Sequence, residues 1–367
     1  MSKTAAGTTP MAALRDWMAN RHVGALYVTK PVSIAYLTGF EANPHERLMA
    51  LAVRREGATL IVPALEEEKA KGRSADADVV SWRDGENPWD LVREAIGSLA
   101  EIGVEKEHLS LQAAETITSI TGASELVDVG PEIRRRRLTK SEEEIEKLQR
   151  AAAITDEAGE RVIARLRAGQ SEVEVALLMG AAIGELGGQL SFPTLVQSGP
   201  NSSLPHWEPS GRKLAKGDFV LLDFGAAFAG YKADSTRMAV VGEPSAKQRE
   251  IHDLVLAGHD AAIEAVRSGA TTGDVDAAAR KVIEAGGYGE QFFHRVGHGI
   301  GLEGHEDPSL DPGSKTILEP GMTFTIEPGI YIPGWGGVRI EDDVVVEEGG
   351  CRVLTKADRS LRVTKGG

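Results

Sequence analysis

The chain has a single cysteine, Cys351. No intramolecular disulfide can form, which fits a reducing compartment. Long apolar runs are missing too. No stretch reaches the roughly 18 apolar residues of a spanning helix, and Met1 to Pro10 has no apolar h-region. Together these absences predict a cytoplasmic protein with no membrane partner. Positive charge is scarce: 41 Lys and Arg stand against 55 Asp and Glu, for a net charge of -14. Phosphate backbones need a basic face, so nucleic acid is excluded as the main partner. The short basic run Arg134–Arg137 is followed by Glu142–Glu144 and predicts a linker with solvated arginines. Several catalytic templates are absent as well: the Gly-x-Ser-x-Gly elbow, the Walker A loop, and the second histidine of His-Glu-x-x-His, since position 309 is Ser.

What is present is 41% hydrophobic and 26% charged, an ordinary globular composition. A length of 367 residues exceeds one typical core and predicts two domains. Helices are expected at 11–20, 63–71 and 88–99, and strands at 25–28, 48–53, 59–62 and 79–81. That alternation predicts a small α/β domain over 1–135. Its most polar loop, 41–47, lies beside Tyr36 and Phe40 and predicts a solvated loop. A second domain, 139–367, begins with the capping box Ser141-x-x-Glu144, and Ser171-x-x-Glu174 starts a second helix. A strand is expected over 190–196, a Ser/Pro/Gly-rich loop over 198–211 carrying His206 and Trp207, and helices over 245–268 and 273–285. No tandem repeat is visible. Helices mixed with antiparallel hairpins predict an α+β class for the larger domain.

Chemistry enters through acids in apolar strands. Asp223 interrupts one, and Asp234 precedes another. Their midpoint falls between Phe228 and Ala229, so a hairpin turning there would oppose them. Glu327 and Glu341 repeat the arrangement about Gly334. Directly opposed residues have Cβ atoms about 4.5–5.5 Å apart. Carboxylates that close must take up a proton or meet a cation. Between the two hairpins lies His294-Arg-Val-Gly-His298-Gly-Ile-Gly-Leu-Glu-Gly-His305, in which Gly297, Gly299 and Gly301 would let backbone or substrate approach closely. Four carboxylates with one imidazole suit two divalent cations, and the ligand types do not choose among Mn, Co, Zn and Mg. Such a pair polarises a carbonyl and activates water, which is hydrolase chemistry.

The order Asp223, Asp234, His298, Glu327, Glu341 resembles the metal ligands of the pita-bread metallopeptidases, which include methionine aminopeptidase, aminopeptidase P and prolidase. The His294–His305 segment is similar to the proline-peptidase signature, with Gly304 where Ile or Val is the family's pattern. The first 135 or so residues resemble the leading domain of bacterial prolidases, through Tyr36-Leu-Thr-Gly39 and Pro44-His-Glu-Arg47. The resemblance implies a C-terminal pita-bread catalytic domain with two divalent ions (Mn, Co or Zn), and Glu327 as the base. It places His206, His294, His305 and Tyr331 in substrate contact. Arg339, which strand alternation turns toward the pocket, is expected to bind a substrate carboxylate. It further implies Xaa-Pro dipeptides as substrates and a homodimer, with the Asn43–Arg47 loop reaching the partner's site. Three alternatives stay open: aminopeptidase P acting on longer peptides, a hydrolase of another small amide, and a binding module without catalysis.

Overall fold

The computed structural model describes residues 9–74 and 76–364. The chain divides into two compact units between Arg136 and Arg137. In the first unit, helix α1 (Pro10–Arg21) leads into strand β1 (Ala25–Val28), then α2 (Pro31–Thr38), β2 (Ala50–Arg54) and β3 (Ala58–Pro63). The chain continues through α3 (Glu67–Arg73), β4 (Asp78–Trp82), α4 (Pro88–Ile96), β5 (Glu101–Val104), α5 (Leu111–Thr121) and β6 (Glu125–Asp128). The strands make one mixed sheet in the order β4-β3-β2-β1-β5-β6. β1–β3 are joined antiparallel and the outer pairs are parallel. Apolar residues pack on both sheet faces, as a helix-covered sheet requires. In the polar 41–47 loop, the Arg47 guanidinium donates twice to Asp84, at 3.0 Å each, within this unit.

Arg134–Arg137 does not form the expected linker. It lies in helix α6 (Gly130–Leu138), where Arg135 and Arg136 pair with Glu132. Arg137 is only 5% exposed and pairs with Glu303 and Glu306. The partners that bury it are more than 160 residues away in sequence, so local charge patterning could not show them.

The second unit is built twice over. Helices α7 (Glu142–Ile163) and α8 (Glu172–Glu185) open the first half. Strands β7 (Gln189–Leu190), β8 (Leu195–Ser198), β9 (Phe219–Phe224), β10 (Ala226–Phe228), β11 (Tyr231–Lys232) and β12 (Ser235–Val241) complete it. Helices α9 (Ala246–Ala265) and α10 (Thr272–Ala285) open the second half. They precede β13 (His298–Gly299), β14 (Glu306–Ser309), β15 (Thr323–Ile326), β16 (Gly329–Ile332), β17 (Gly336–Arg339), β18 (Asp342–Glu347) and β19 (Gly350–Val353), and β20 (Arg362–Thr364) is the last element among the described residues. All four helices start at a capping box, on Ser141, Ser171, Ser245 and Thr271. The halves share bonds at equivalent places. Gly169 donates to Leu214 and Gly269 to Leu318; Gly217 donates to Val241 and Gly321 to Val346. The bonding pattern recurs between segments whose residues differ, so no repeat is visible in the sequence alone.

The predicted strand 190–196 is split. β7 joins β10, whereas β8 joins β9 in another sheet. Pro193 between them has no N–H for a continuous ladder. The two main sheets run β20-β12-β9-β8 and β14-β13-β15-β18-β19. β9 and β15 are interior strands whose residues are all buried, so an acid on either faces protein rather than water.

Candidate metal centre

The second acid hairpin turns as its spacing predicts. Ile326 pairs with Asp342 and Gly329 with Arg339, a single register on both sides of a gap. Glu327 and Glu341 fall opposite one another in that gap. The first hairpin turns one residue later than its midpoint. Ala229 and Gly230 both have positive φ (49° and 83°), the tight two-residue geometry that pairs Phe228 with Tyr231. Asp223 therefore faces Thr236, and Asp234 sits diagonally across on the same sheet face. The acids still converge, because a slip of two residues preserves the face.

Three groups of possible ligand atoms lie within 4.8 Å of one another: Asp223, Asp234 and Glu341; His298, Glu327 and Glu341; and Asp234, His298 and His305. His298 Nε2 is 3.3 Å from Glu327 Oε1 and 4.0 Å from Asp234 Oδ2. Its Nδ1 lies 3.1 Å from the Gly299 carbonyl, which only accepts. The proton therefore sits on Nδ1, and the Nε2 lone pair points at the acids, the tautomer a cation needs. Burial, with His305 next, pushes the His298 pKa down to about 3. The His305 ring stacks on His298 with centroids 3.7 Å apart.

The four carboxyls, Asp223, Asp234 and Glu341 buried and Glu327 half-buried, behave as crowded acids. Burial raises Asp234 well above its ordinary value, with Glu341 and Asp223 adding to the rise. Glu341 is raised well above its own by burial, then by Glu327 and Asp223. Burial lifts Glu327 to about 7, against the pull of Arg339. Asp223 is also raised by burial, with Arg339 opposing. Asp223 Oδ1 and Asp234 Oδ1 are buried with no hydrogen-bond partner among the described residues. Crowded acids with orphaned oxygens beside a neutral imidazole fit divalent cations, which would supply the missing partners.

Residues that sequence reasoning missed hold these acids in place. Thr236 donates to Glu341 and Thr325 to Glu327, and Asp343 accepts the Asp234 backbone N–H at 2.9 Å. Strand alternation was the available signal, since Thr325 and Glu327 share one face, as do Asp234 and Thr236. Gly297 and Gly299 are required by neighbouring backbone rather than by substrate. A Cβ would come within 1.9 Å of the Thr325 carbonyl at one and 2.1 Å of the Asp307 carbonyl at the other. At Gly304 the nearest atom would be Lys232 Cδ at 3.9 Å, so a larger residue would fit there.

A pocket of about 640 Å³ opens over His298 and Glu327. Its walls include Leu204, Pro205, His206, Trp207, Phe293, His294, Arg295, His305, Tyr331 and Arg339. His294 Nδ1 lies 2.7 Å from the Arg295 carbonyl, so Nε2 accepts from Tyr331 Oη at 3.2 Å. Burial lowers His294 to about 4. Arg339 is only 4% exposed. Its donors go to Thr236 Oγ1, Tyr331 Oη and Asp223 Oδ2, at 2.9, 3.1 and 2.5 Å. Arg295 differs: its side chain donates to Ser309 Oγ at 2.7 Å, and among the described residues no carboxylate pairs with it.

Residues 146–348 match the model of metallopeptidase family M24. The chain belongs to that family. The M24 match covers both acid hairpins and the histidine segment, and residues 10–139 match the creatinase/prolidase N-terminal domain. An uncharacterized peptidase of Staphylococcus aureus is 37% identical over 96% of this chain and 100% of its own length. Among solved structures, the Pyrococcus horikoshii prolidase has a TM-score of 0.90 at 36% identity, covering 96% of this chain and 99% of its own. The X-Pro aminopeptidase of Thermotoga maritima has a TM-score of 0.89 at 32% identity, with coverage of 96% and 99%. The M24 fold, a creatinase-type leading domain followed by a pita-bread unit, is thus that of this chain. Among the described residues no helix is long and apolar enough to cross a membrane.

Proposed function

We propose that this M24 protein hydrolyses the peptide bond preceding proline, acting on Xaa-Pro dipeptides with two divalent cations. The observation that carries the reading is the cluster of three buried carboxyls and the half-buried Glu327 with a neutral imidazole, placed at the floor of an open pocket. Asp223, Asp234, His298, Glu327 and Glu341 would hold the ions. Bound there, the ions would polarise the scissile carbonyl and lower the pKa of water.

The chain's own groups do the rest. The Glu327 carboxylate is the base, holding a proton on its way from water to the leaving nitrogen. Thr325 donates to its Oε1 and fixes it. Arg339 orients Asp223 and Tyr331, and the Tyr331 hydroxyl in turn fixes the His294 ring. His206 and His305 stand at the pocket wall, His206 against the bound substrate and His305 where it can donate to a developing oxyanion. With Arg339 engaged, Arg295 is the pocket guanidinium left for a substrate carboxylate. The names of the solved relatives support this reading: one is a prolidase, another an X-Pro aminopeptidase. The second favours a runner-up, cleavage of longer Xaa-Pro peptides.

The test strips the protein with chelator and reloads it with Mn, Co or Zn. Release of proline from Ala-Pro and of alanine from Ala-Pro-Ala is then followed. Metal-dependent cleavage of the dipeptide alone is expected. Cleavage of both would move the assignment to an aminopeptidase, and cleavage of neither with any metal would defeat the proposal.

A further inference from the structure

One carboxylate outside the metal centre collects six donors. Glu172, at the first turn of α8, is 0% exposed. Its Oε1 accepts from Ser198 N, Ser198 Oγ and Asn201 Nδ2, at 2.8, 2.7 and 2.9 Å. Its Oε2 accepts from Trp207 Nε1, Ser210 N and Ser210 Oγ, at 3.3, 3.0 and 2.6 Å. Two of the six donors come from Ser198, the last residue of β8, and four from the loop that follows it. That loop delivers Leu204, Pro205, His206 and Trp207 to the pocket wall. Further bonds hold its C-terminal end: Glu172 N donates to the Arg212 carbonyl and Val173 N to the Ser210 carbonyl. Gln197 Nε2 donates to the Pro205 carbonyl at 2.9 Å. The His206 side chain has no hydrogen bond of its own among the described residues, so its place depends on the backbone that carries it.

A Ser/Pro/Gly-rich loop of this length over a pocket has the composition of a moving lid. A buried anion satisfied by six donors makes it a fixed wall instead. The donors are spread over Ser198, Asn201, Trp207 and Ser210, so the loop must fold around the carboxylate to supply them. A carboxylate so satisfied costs little to bury, whereas a neutral amide there would set its own donors against three of the six.

We infer that Glu172 is a positioning residue for substrate binding, acting through the 198–211 loop to hold His206 and Trp207 at the pocket. What the loop touches rests on the function proposed above; the clamp itself does not.

Two measurements separate the two claims. Hydrogen exchange of the whole protein reads the clamp without turnover. E172Q should release protection across 199–211 and leave β9 and β15 protected, and unchanged protection in the loop would overturn the inference. Kinetics then read its consequence on Ala-Pro, through a cycle of E172Q, H206A and the double variant. E172Q should raise KM roughly 10-fold or more while changing kcat much less, the scale of lost charge-assisted hydrogen bonds. On the H206A background the same change should add little, because the two act as a unit. Full additivity, or a loss confined to kcat, would overturn the inference. S210A, which removes one of the six donors, should show a smaller effect of the same kind and covers the case in which E172Q does not fold. If the unaltered protein cleaves no Xaa-Pro peptide, the proposed function fails while the exchange result still decides the clamp.

Discussion

Thr236 donates its hydroxyl to Glu341 Oε2 at 2.5 Å and accepts from Arg339 Nε at 2.9 Å. One side chain from the first half thus orients an acid and a guanidinium from the second. Glu341 N also donates to the Thr236 carbonyl, at 3.3 Å, so backbone and side chain meet at the same point.

Thr236→Val keeps the shape and removes both bonds. Groups that orient metal ligands typically contribute 10- to 100-fold in metal affinity. We expect a loss of about that size for Mn, read by calorimetric titration of chelator-stripped protein. Unchanged affinity would show that Glu341 holds its position without the hydroxyl.

Glu306 lies beside His305 and is held by Lys140 Nζ at 2.7 Å and by Arg137. Burial alone would raise its pKa, but Lys140 and Arg137 more than reverse that and lower it. A depressed carboxylate stabilises the fold above its unfolded pKa and loses that contribution as pH falls through its folded value. Glu306→Gln leaves the buried Lys140 without a carboxylate and Arg137 with Glu303 alone, and should cost on the order of 3 kcal/mol at pH 7. The gap to the unaltered protein should close as pH drops below the ordinary Glu range. Denaturant melts at several pH values check this, and a gap that widens toward acid would contradict it.

Arg295→Gln tests the proposed carboxylate contact. The unaltered protein should prefer Ala-Pro over its C-terminal amide by roughly 10- to 100-fold in kcat/KM, the scale of one charge-assisted pair. In the variant that ratio should collapse toward unity, and Arg295→Lys should restore part of it. A ratio that survives in the glutamine variant would send the carboxylate elsewhere.

The fold was legible where its signals are local. The boxes at Ser141 and Ser171 place α7 and α8, and the spacing of Glu327 and Glu341 about Gly334 finds its register without error. The Asp223 hairpin missed by one residue, because its turn is fixed by which residues adopt positive φ, Ala229 as well as Gly230. Helix α2 went unread although Pro31 and Gly39 bracket it. In the site, the acids announced themselves by interrupting apolar strands. Glu172, Arg295 and Thr236 did not, because a surface-type residue reveals a buried role only through partners distant in sequence.

The doubling of the second unit makes the candidate cations a seam. Asp223 and Asp234 come from one half; His298, Glu327 and Glu341 come from the other. Neither half alone assembles the set: Asp223 would lack Arg339, and Glu341 would lack the Thr236 hydroxyl. A metal pair bound here would belong to neither copy. It would act as an internal ligand that two similar halves of one chain grip together, so losing it would loosen the line where they join before it loosened either half.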